Sequence, residues 1–146
     1  MQEIGKGIKE IDVSKLKNLK SLEVCYSKYL KNIKIGKIKK IHLYECKRIK
    51  KLDISKCDKF KKVTVIATGI DKVRMSKTPS INDLCLSFNK IENIDLTNAK
   101  IHSLSLEGNP IKNIDVSKAK KIDKIYVKKY QNVKKGDKQQ IKIIRR

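Results

Sequence analysis

The chain has no tryptophan, and aromatic residues make up only 5% of it. That excludes a core organised around large rings. The apolar 39% is mostly Ile, Leu and Val, which suits an interior of stacked aliphatic side chains. No apolar run approaches the roughly 18 residues that span a bilayer, so no membrane insertion is expected. The opening Met1-Gln2-Glu3-Ile4-Gly5-Lys6 has no apolar h-region, and no signal peptide is visible. A mature or trimmed chain would look the same, so the compartment stays open.

Acidic residues are scarce: 15 Asp plus Glu stand against 37 Lys plus Arg, a formal net charge of +22. Arginine is scarce as well, limited to Arg48, Arg74, Arg145 and Arg146. A lysine-dominated excess keeps a protein soluble and draws it non-specifically to polyanions. Planar recognition of phosphate or guanine favours arginine instead. The charge therefore has two readings, a functional one and the compositional bias of an AT-rich genome.

What is present in abundance is repetition. One phrase recurs as Ile11-Asp12-Val13-Ser14, Leu52-Asp53-Ile54-Ser55, Ile94-Asp95-Leu96-Thr97 and Ile114-Asp115-Val116-Ser117. The other is clearest at Leu84–Ile91 and Leu104–Ile111. Aligned, they give two columns of strand starts, Leu22, Ile41, Val63, Leu84, Leu104, Ile125 and Ile11, Ile33, Leu52, Val73, Ile94, Ile114, with steps of 19 to 22 residues. Each phrase alternates apolar and polar at period 2, as a half-buried strand requires. The intervening stretches, rich in Lys, Ser, Asn and Asp, are too short for a helix with its two turns. Each repeat is therefore one flattened coil with a strand on either side. Six such coils, with parallel strands about 4.8 Å apart, stack to roughly 25–30 Å.

The first column has the form L-x-L-x-x-N-x-I, complete at Leu84–Ile91 and Leu104–Ile111, with Thr68 and Cys46 in the Asn place of two other coils. Over about residues 8–133 this resembles the leucine-rich repeat, in particular the short bacterial repeats of internalin-like surface proteins. The resemblance implies a right-handed leucine-rich-repeat solenoid, β-dominated, with two parallel sheets and little or no helix. It also implies a single domain over residues 1–146 and a protein ligand bound on the concave sheet. Cell-surface or secreted placement would follow from the family, whereas unpaired cysteines fit the cytoplasm. The chain is expected to be a monomer.

Departures from the period carry their own expectations. The first, second and sixth coils need one extra residue before the closing apolar positions Leu30, Ile49 and Val133. The link from Ile33 to Ile41 is short, which predicts a pinched turn around Gly36. Residues 134–146 break the period, and Ile141-Lys142-Ile143-Ile144 reads as a strand capping the core. Ile4 and Ile8 read as the remains of an incomplete first coil.

If Leu22 and Val24 point inward, their neighbours point outward in every coil. The outward columns are Glu23, His42, Thr64, Cys85, Ser105, Tyr126 and Cys25, Tyr44, Ile66, Ser87, Glu107, Lys128, with Phe88 at the edge. This lysine-poor strip with its aromatic side chains is the candidate partner-binding face. The second sheet presents Asp12, Lys34, Asp53, Arg74, Asp95 and Asp115, which reads as a cross-strand ion ladder of modest strength. Its interleaved bases argue against a metal site among these aspartates. Lys15, Lys37, Lys56, Lys77 and Lys118 follow the second strand and align into a ridge. That ridge is either a solvated edge or a salt-sensitive polyanion surface for nucleic acid or sulfated glycan.

Histidine is limited to His42 and His102, with no nucleophile beside either in sequence. There is no phosphate-binding glycine loop. The four cysteines show no C-x-x-C spacing. Cys25 and Cys85 lie three coils apart, too far to bridge. Free thiols are expected, with no metal, cofactor or catalytic residues. The leading expectation is a non-enzymatic protein-binding module, with polyanion binding as the alternative.

Overall fold

The computed structural model describes residues 7–146, and among them it contains strands and turns but no helix. The first seven strands are β1 (Glu10–Asp12), β2 (Ser21–Cys25), β3 (Asn32–Lys34), β4 (Lys40–Tyr44), β5 (Lys51–Asp53), β6 (Lys59–Ile66) and β7 (Lys72–Arg74). The remainder are β8 (Ser80–Cys85), β9 (Lys100–Ser105), β10 (Asn113–Asp115), β11 (Lys121–Val127), β12 (Asn132–Lys134) and β13 (Lys142–Arg145). They wind into a parallel β-solenoid of about six turns. One face is a continuous seven-stranded sheet in the order β2-β4-β6-β8-β9-β11-β13.

The expected strand starts pair one to one in this sheet, Leu22 with Ile41, Ile41 with Val63, Val63 with Leu84, Leu84 with Leu104 and Leu104 with Ile125. Their inward partners Leu43, Val65, Leu86, Leu106 and Val127 are all fully buried. The strands also begin earlier than the alternation indicates. Leu19 lies half-buried three residues ahead of the first start, and the same place ahead of the second to sixth starts holds another buried apolar side chain, Ile38, Phe60, Ile81, Ile101 or Ile122. The last four of these form a ladder of their own, apart from the main alternation by one extra residue. The core is thus wider than two columns.

The opposite face differs from the expected second sheet. It consists of three separate two-stranded ladders, β1 with β3, β5 with β7 and β10 with β12. Ile94-Asp95-Leu96-Thr97 forms no strand, although Leu96 is buried. The bend that follows each aspartate keeps these segments short. Asp12, Asp53, Asp95 and Asp115 each accept the backbone N–H of the residue two positions on, at 2.9–3.0 Å, turning the chain after three extended residues. Val133 is not a closing apolar position. It sits in β12 opposite Ile114 and extends the second column.

Gly36 does mark a close approach: a Cβ there would lie 2.6 Å from the carbonyl oxygen of Ser14 in the preceding coil. β13 pairs with β11 at the sheet end, and Ile141 and Ile143 pack on the core. Ile8 is exposed, while Ile4 lies outside the described residues.

The turn after each long strand buries polar backbone, and side chains from the stack satisfy it. Asn109 Nδ2 donates to the carbonyls of Leu86 (2.8 Å) and Leu106 (3.1 Å), and its Oδ1 accepts the Ile91 N–H (3.1 Å). Asn89 bridges Val65, Leu86 and Thr68 in the same way. In the sixth coil the longer Gln131 reaches Leu106 (3.0 Å) and Ile111 (3.1 Å). Cys46 fills the place with its sulfur 3.5 Å from the Val24 and Tyr44 carbonyls. Just before this plug the chain takes a left-handed conformation at Tyr26, Glu45, Ala67, Phe88 and Gly108, with φ between 54° and 71°. For a residue with a Cβ this costs about 1–2 kcal/mol. At Gly108 a Cβ would also press to 2.4 Å from the Phe88 ring.

Asn109→Ala leaves the Ile91 N–H without its partner and removes one of two amide donors from the Leu86 and Leu106 carbonyls, so urea unfolding should show a loss of about 1–3 kcal/mol. The exposed Asn93→Ala should stay within about 0.5 kcal/mol. Gly108→Ala should cost about 1–2 kcal/mol from its backbone alone. Its total cost should shrink in a Phe88→Ala background, because the ring contact is gone.

Candidate functional site

The face singled out in the sequence is assembled by strand register. Glu23, His42, Thr64, Cys85, Ser105 and Tyr126 are consecutive partners across β2, β4, β6, β8, β9 and β11. Cys25, Tyr44 and Ile66 follow on the first three strands. Backbone bonds from Ala67 N to Ser87 O and from Phe88 N to Glu107 O carry that row into the turns. Exposure divides the row. Phe88 projects into solvent, whereas Thr64, Ser87 and Glu107 are buried as a floor.

Over that floor lies a hollow of about 320 Å³, walled by Ile66, Phe88 and Tyr126. Lys62, Asp83 and Ser103 form its far rim. They precede the strand starts by one residue and are in register with one another, outside the two outward columns expected from the sequence. Ser87 and Ser105 share a 2.7 Å hydrogen bond within it.

Glu107 is the chemical focus. Its side chain is 8% exposed, with Lys128 Nζ 4.0 Å from one carboxylate oxygen and Arg146 3.6 Å from the other. Neither approach is a hydrogen bond, and Oε1 is left without one, as is the buried Thr64 Oγ1. The Arg146 guanidinium lies 4.4 Å from the Tyr126 ring centroid. Position alone gave no reason to select Arg146, since it reaches the hollow only because β13 pairs beside β11.

At the other end of the sheet, Glu23 and Cys25 on β2 meet His42 on β4, with one potential ligand atom from each within 4.8 Å of the other two. Tyr26 and Tyr44 stack edge to face beside them at 5.3 Å. Burial, and then the adjacent Glu23 carboxylate, pushes the Cys25 thiol up from its ordinary value. All four cysteines are free. His102, on β9, places Nδ1 2.7 Å from Asp123, which also meets Lys121 at 3.5 Å.

Lys15, Lys37, Lys56, Lys77 and Lys118 are all exposed. Lys37 and Lys56 share a hollow of about 260 Å³ with Lys39 and Lys59. Lys77 instead borders a hollow with Asp95. On the short-ladder face the expected ion pairs reduce to Arg74 with Asp53 (3.7 Å), joined by Lys134 with Asp115 (3.5 Å). The larger role of these aspartates is in the turns.

Hydrogen bonds from Ser14, Thr97 and Ser117 hold the carboxyls of Asp12, Asp95 and Asp115 below their ordinary value. At Asp53 burial acts upward, but the Ser55 bonds and Arg74 outweigh it. A depressed folded value means stability that is present above the unfolded value near pH 4 and lost as pH falls through the folded one. Acidification also increases the net positive charge, which adds self-repulsion. Urea stability should therefore fall steeply below about pH 4. In Ser117→Ala the Asp115 carboxyl, followed by NMR, should titrate at higher pH than in the parent.

Comparison with protein-family models, with curated proteins and with solved structures gives no match to this chain.

Proposed function

We propose that the protein is a non-enzymatic binding module that captures an extended protein segment on its seven-stranded face, with an arginine or lysine of that segment entering the Glu107 hollow. The observation that carries this reading is the buried Glu107 carboxylate, with one oxygen left without a hydrogen bond. A buried charge without full pairing is costly, so a ligand that completes it gains correspondingly. Arg146 supports the choice of cation: its guanidinium stacks on Tyr126 and points toward that oxygen, mimicking the group to be bound. Ile66, Phe88 and Tyr126 supply apolar contact around it.

The leucine-rich-repeat identity belongs to the same reading. The apolar side chains three residues ahead of the strand starts complete the pattern L-x-x-L-x-L-x-x-N at Ile81–Asn89 and Ile101–Asn109. Membership in a bacterial surface or secreted protein rests on that resemblance alone.

A second reading, binding of a polyanion such as nucleic acid or sulfated glycan, is favoured by the four lysines gathered at one hollow, Lys37, Lys39, Lys56 and Lys59. The two readings have opposite salt dependence. The net charge of +22 repels a cationic segment at long range, and salt screens that repulsion more than a contact made inside the hollow.

The test is capture of arginine-containing peptides on an array, with citrulline replacements as controls. Capture should persist at moderate salt, fall about tenfold or more in Glu107→Gln, and rise in Arg146→Ala. Unchanged capture in both Glu107→Gln and Tyr126→Ala defeats the peptide reading. Heparin retention that vanishes at moderate salt and is lost on charge reversal of Lys37 and Lys56 establishes the second.

A further inference from the structure

The far end of the same sheet carries a different chemistry. β2 is the outermost strand of the seven. Its Glu23 lies directly across from His42 on β4, and Cys25, two residues on, projects from the same face. Register therefore brings a carboxylate, a thiol and an imidazole together from positions 2 and 19 residues apart in sequence. The Glu23 Oε1 to Cys25 Sγ separation is 3.8 Å. In a tetrahedral zinc site, bond lengths near 2.0 Å to oxygen and 2.3 Å to sulfur set an oxygen–sulfur edge of about 3.5 Å. The three donor atoms, all within 4.8 Å of one another, need only small side-chain rotations to share one ion.

We propose that Glu23, Cys25 and His42 form a three-ligand site for a divalent transition ion, with Zn²⁺ the best match. The donor set argues for this class. Calcium and magnesium favour oxygen ligands, whereas sulfur and imidazole select zinc and its neighbours. Carboxylate and thiolate together neutralise the ion locally; Glu23 is already ionised and only the Cys25 proton leaves, so binding raises the chain's net charge by one rather than two. Both strands are fixed by ladder hydrogen bonds, which leaves side-chain torsions as the only freedom to be lost. Glu23 and Cys25 are exposed and His42 half-buried, so a fourth position faces solvent. The site takes water there, or one residue from a partner. It lies at the opposite end of the sheet from the Glu107 hollow and does not depend on how that hollow is used.

Cobalt titration of the intact chain under reducing, thiol-free conditions tests the site. One equivalent should develop a near-ultraviolet sulfur-to-cobalt charge-transfer band together with tetrahedral visible bands, and Zn²⁺ should displace both. Cys25→Ser should abolish the charge-transfer band. His42→Gln and Glu23→Gln should weaken Zn²⁺ binding by more than about tenfold in competition with a chromogenic chelator. Cys85→Ser should leave all signals unchanged, and circular dichroism checks that each variant is folded. No band at stoichiometric cobalt overturns the proposal. So does a band that survives Cys25→Ser, a band lost in Cys85→Ser, or parental Zn²⁺ affinity in His42→Gln and Glu23→Gln.

Discussion

The stack depends on one requirement: at the end of each long strand the chain must turn while its carbonyls are sealed from water. Each buried peptide group left without a partner would cost about 1–3 kcal/mol, a large share of what the aliphatic core of a single coil returns. The solution is a side-chain amide or its substitute inserted into the turn and bonded to two coils at once, as with Asn89 and Asn109. Because each plug reaches the preceding coil, it sets the turn and the spacing together. Gln131 shows how the rule tolerates an inserted residue: the longer side chain recovers the reach. Cys46 does the same task as a weaker S–H donor, and burial pushes its thiol up from the ordinary value.

Charge is distributed around this scaffold with a clear division of labour. Lysines crowd the turns and the leading ends of the strands, where water solvates them. Acidic side chains are few, and most have a structural partner. Four aspartates close turns through the residue two positions on, and Asp123 holds His102 and Lys121. Glu107 stands apart, since it is buried and has no backbone partner among its contacts. Its partners are two ion pairs longer than a hydrogen bond, an unusual state for a buried acid on so basic a chain.

The coil, its strand positions and the inward-outward alternation were legible because a period of two in each phrase and a period near twenty between phrases agree everywhere from Leu22 to Ile125. The face residues were legible for the same reason. Their burial was not: alternation says that Thr64 and Glu107 leave the core, but not that neighbouring rings and Arg146 cover them. The aspartate phrase was read as an ion ladder because its charges alternate between coils. The bond from each aspartate to the residue two positions on is local, and the Asp-x-Ser spacing carries its signal. Glu23, Cys25 and His42 were each placed on the face, yet their meeting needs register and rotamer together, and no short motif records it.

A continuous strand ladder runs along only one side of the solenoid among the described residues. The seven-stranded sheet links every coil, whereas the other side is sewn in three short stitches, with gaps between Ile33 and Leu52 and around Ile94. Bending that opens the Ile33–Leu52 gap breaks no ladder bond, and around Ile94 only the turn bonds from Lys90, Asn98 and Ile111 hold neighbouring coils, while the same strain on the long sheet would have to break several. The molecule is therefore stiffer along the seven-stranded sheet than along its back. A ligand lying on the sheet meets a fixed ruler of strand spacings, and adjustments to its curvature are absorbed on the far side.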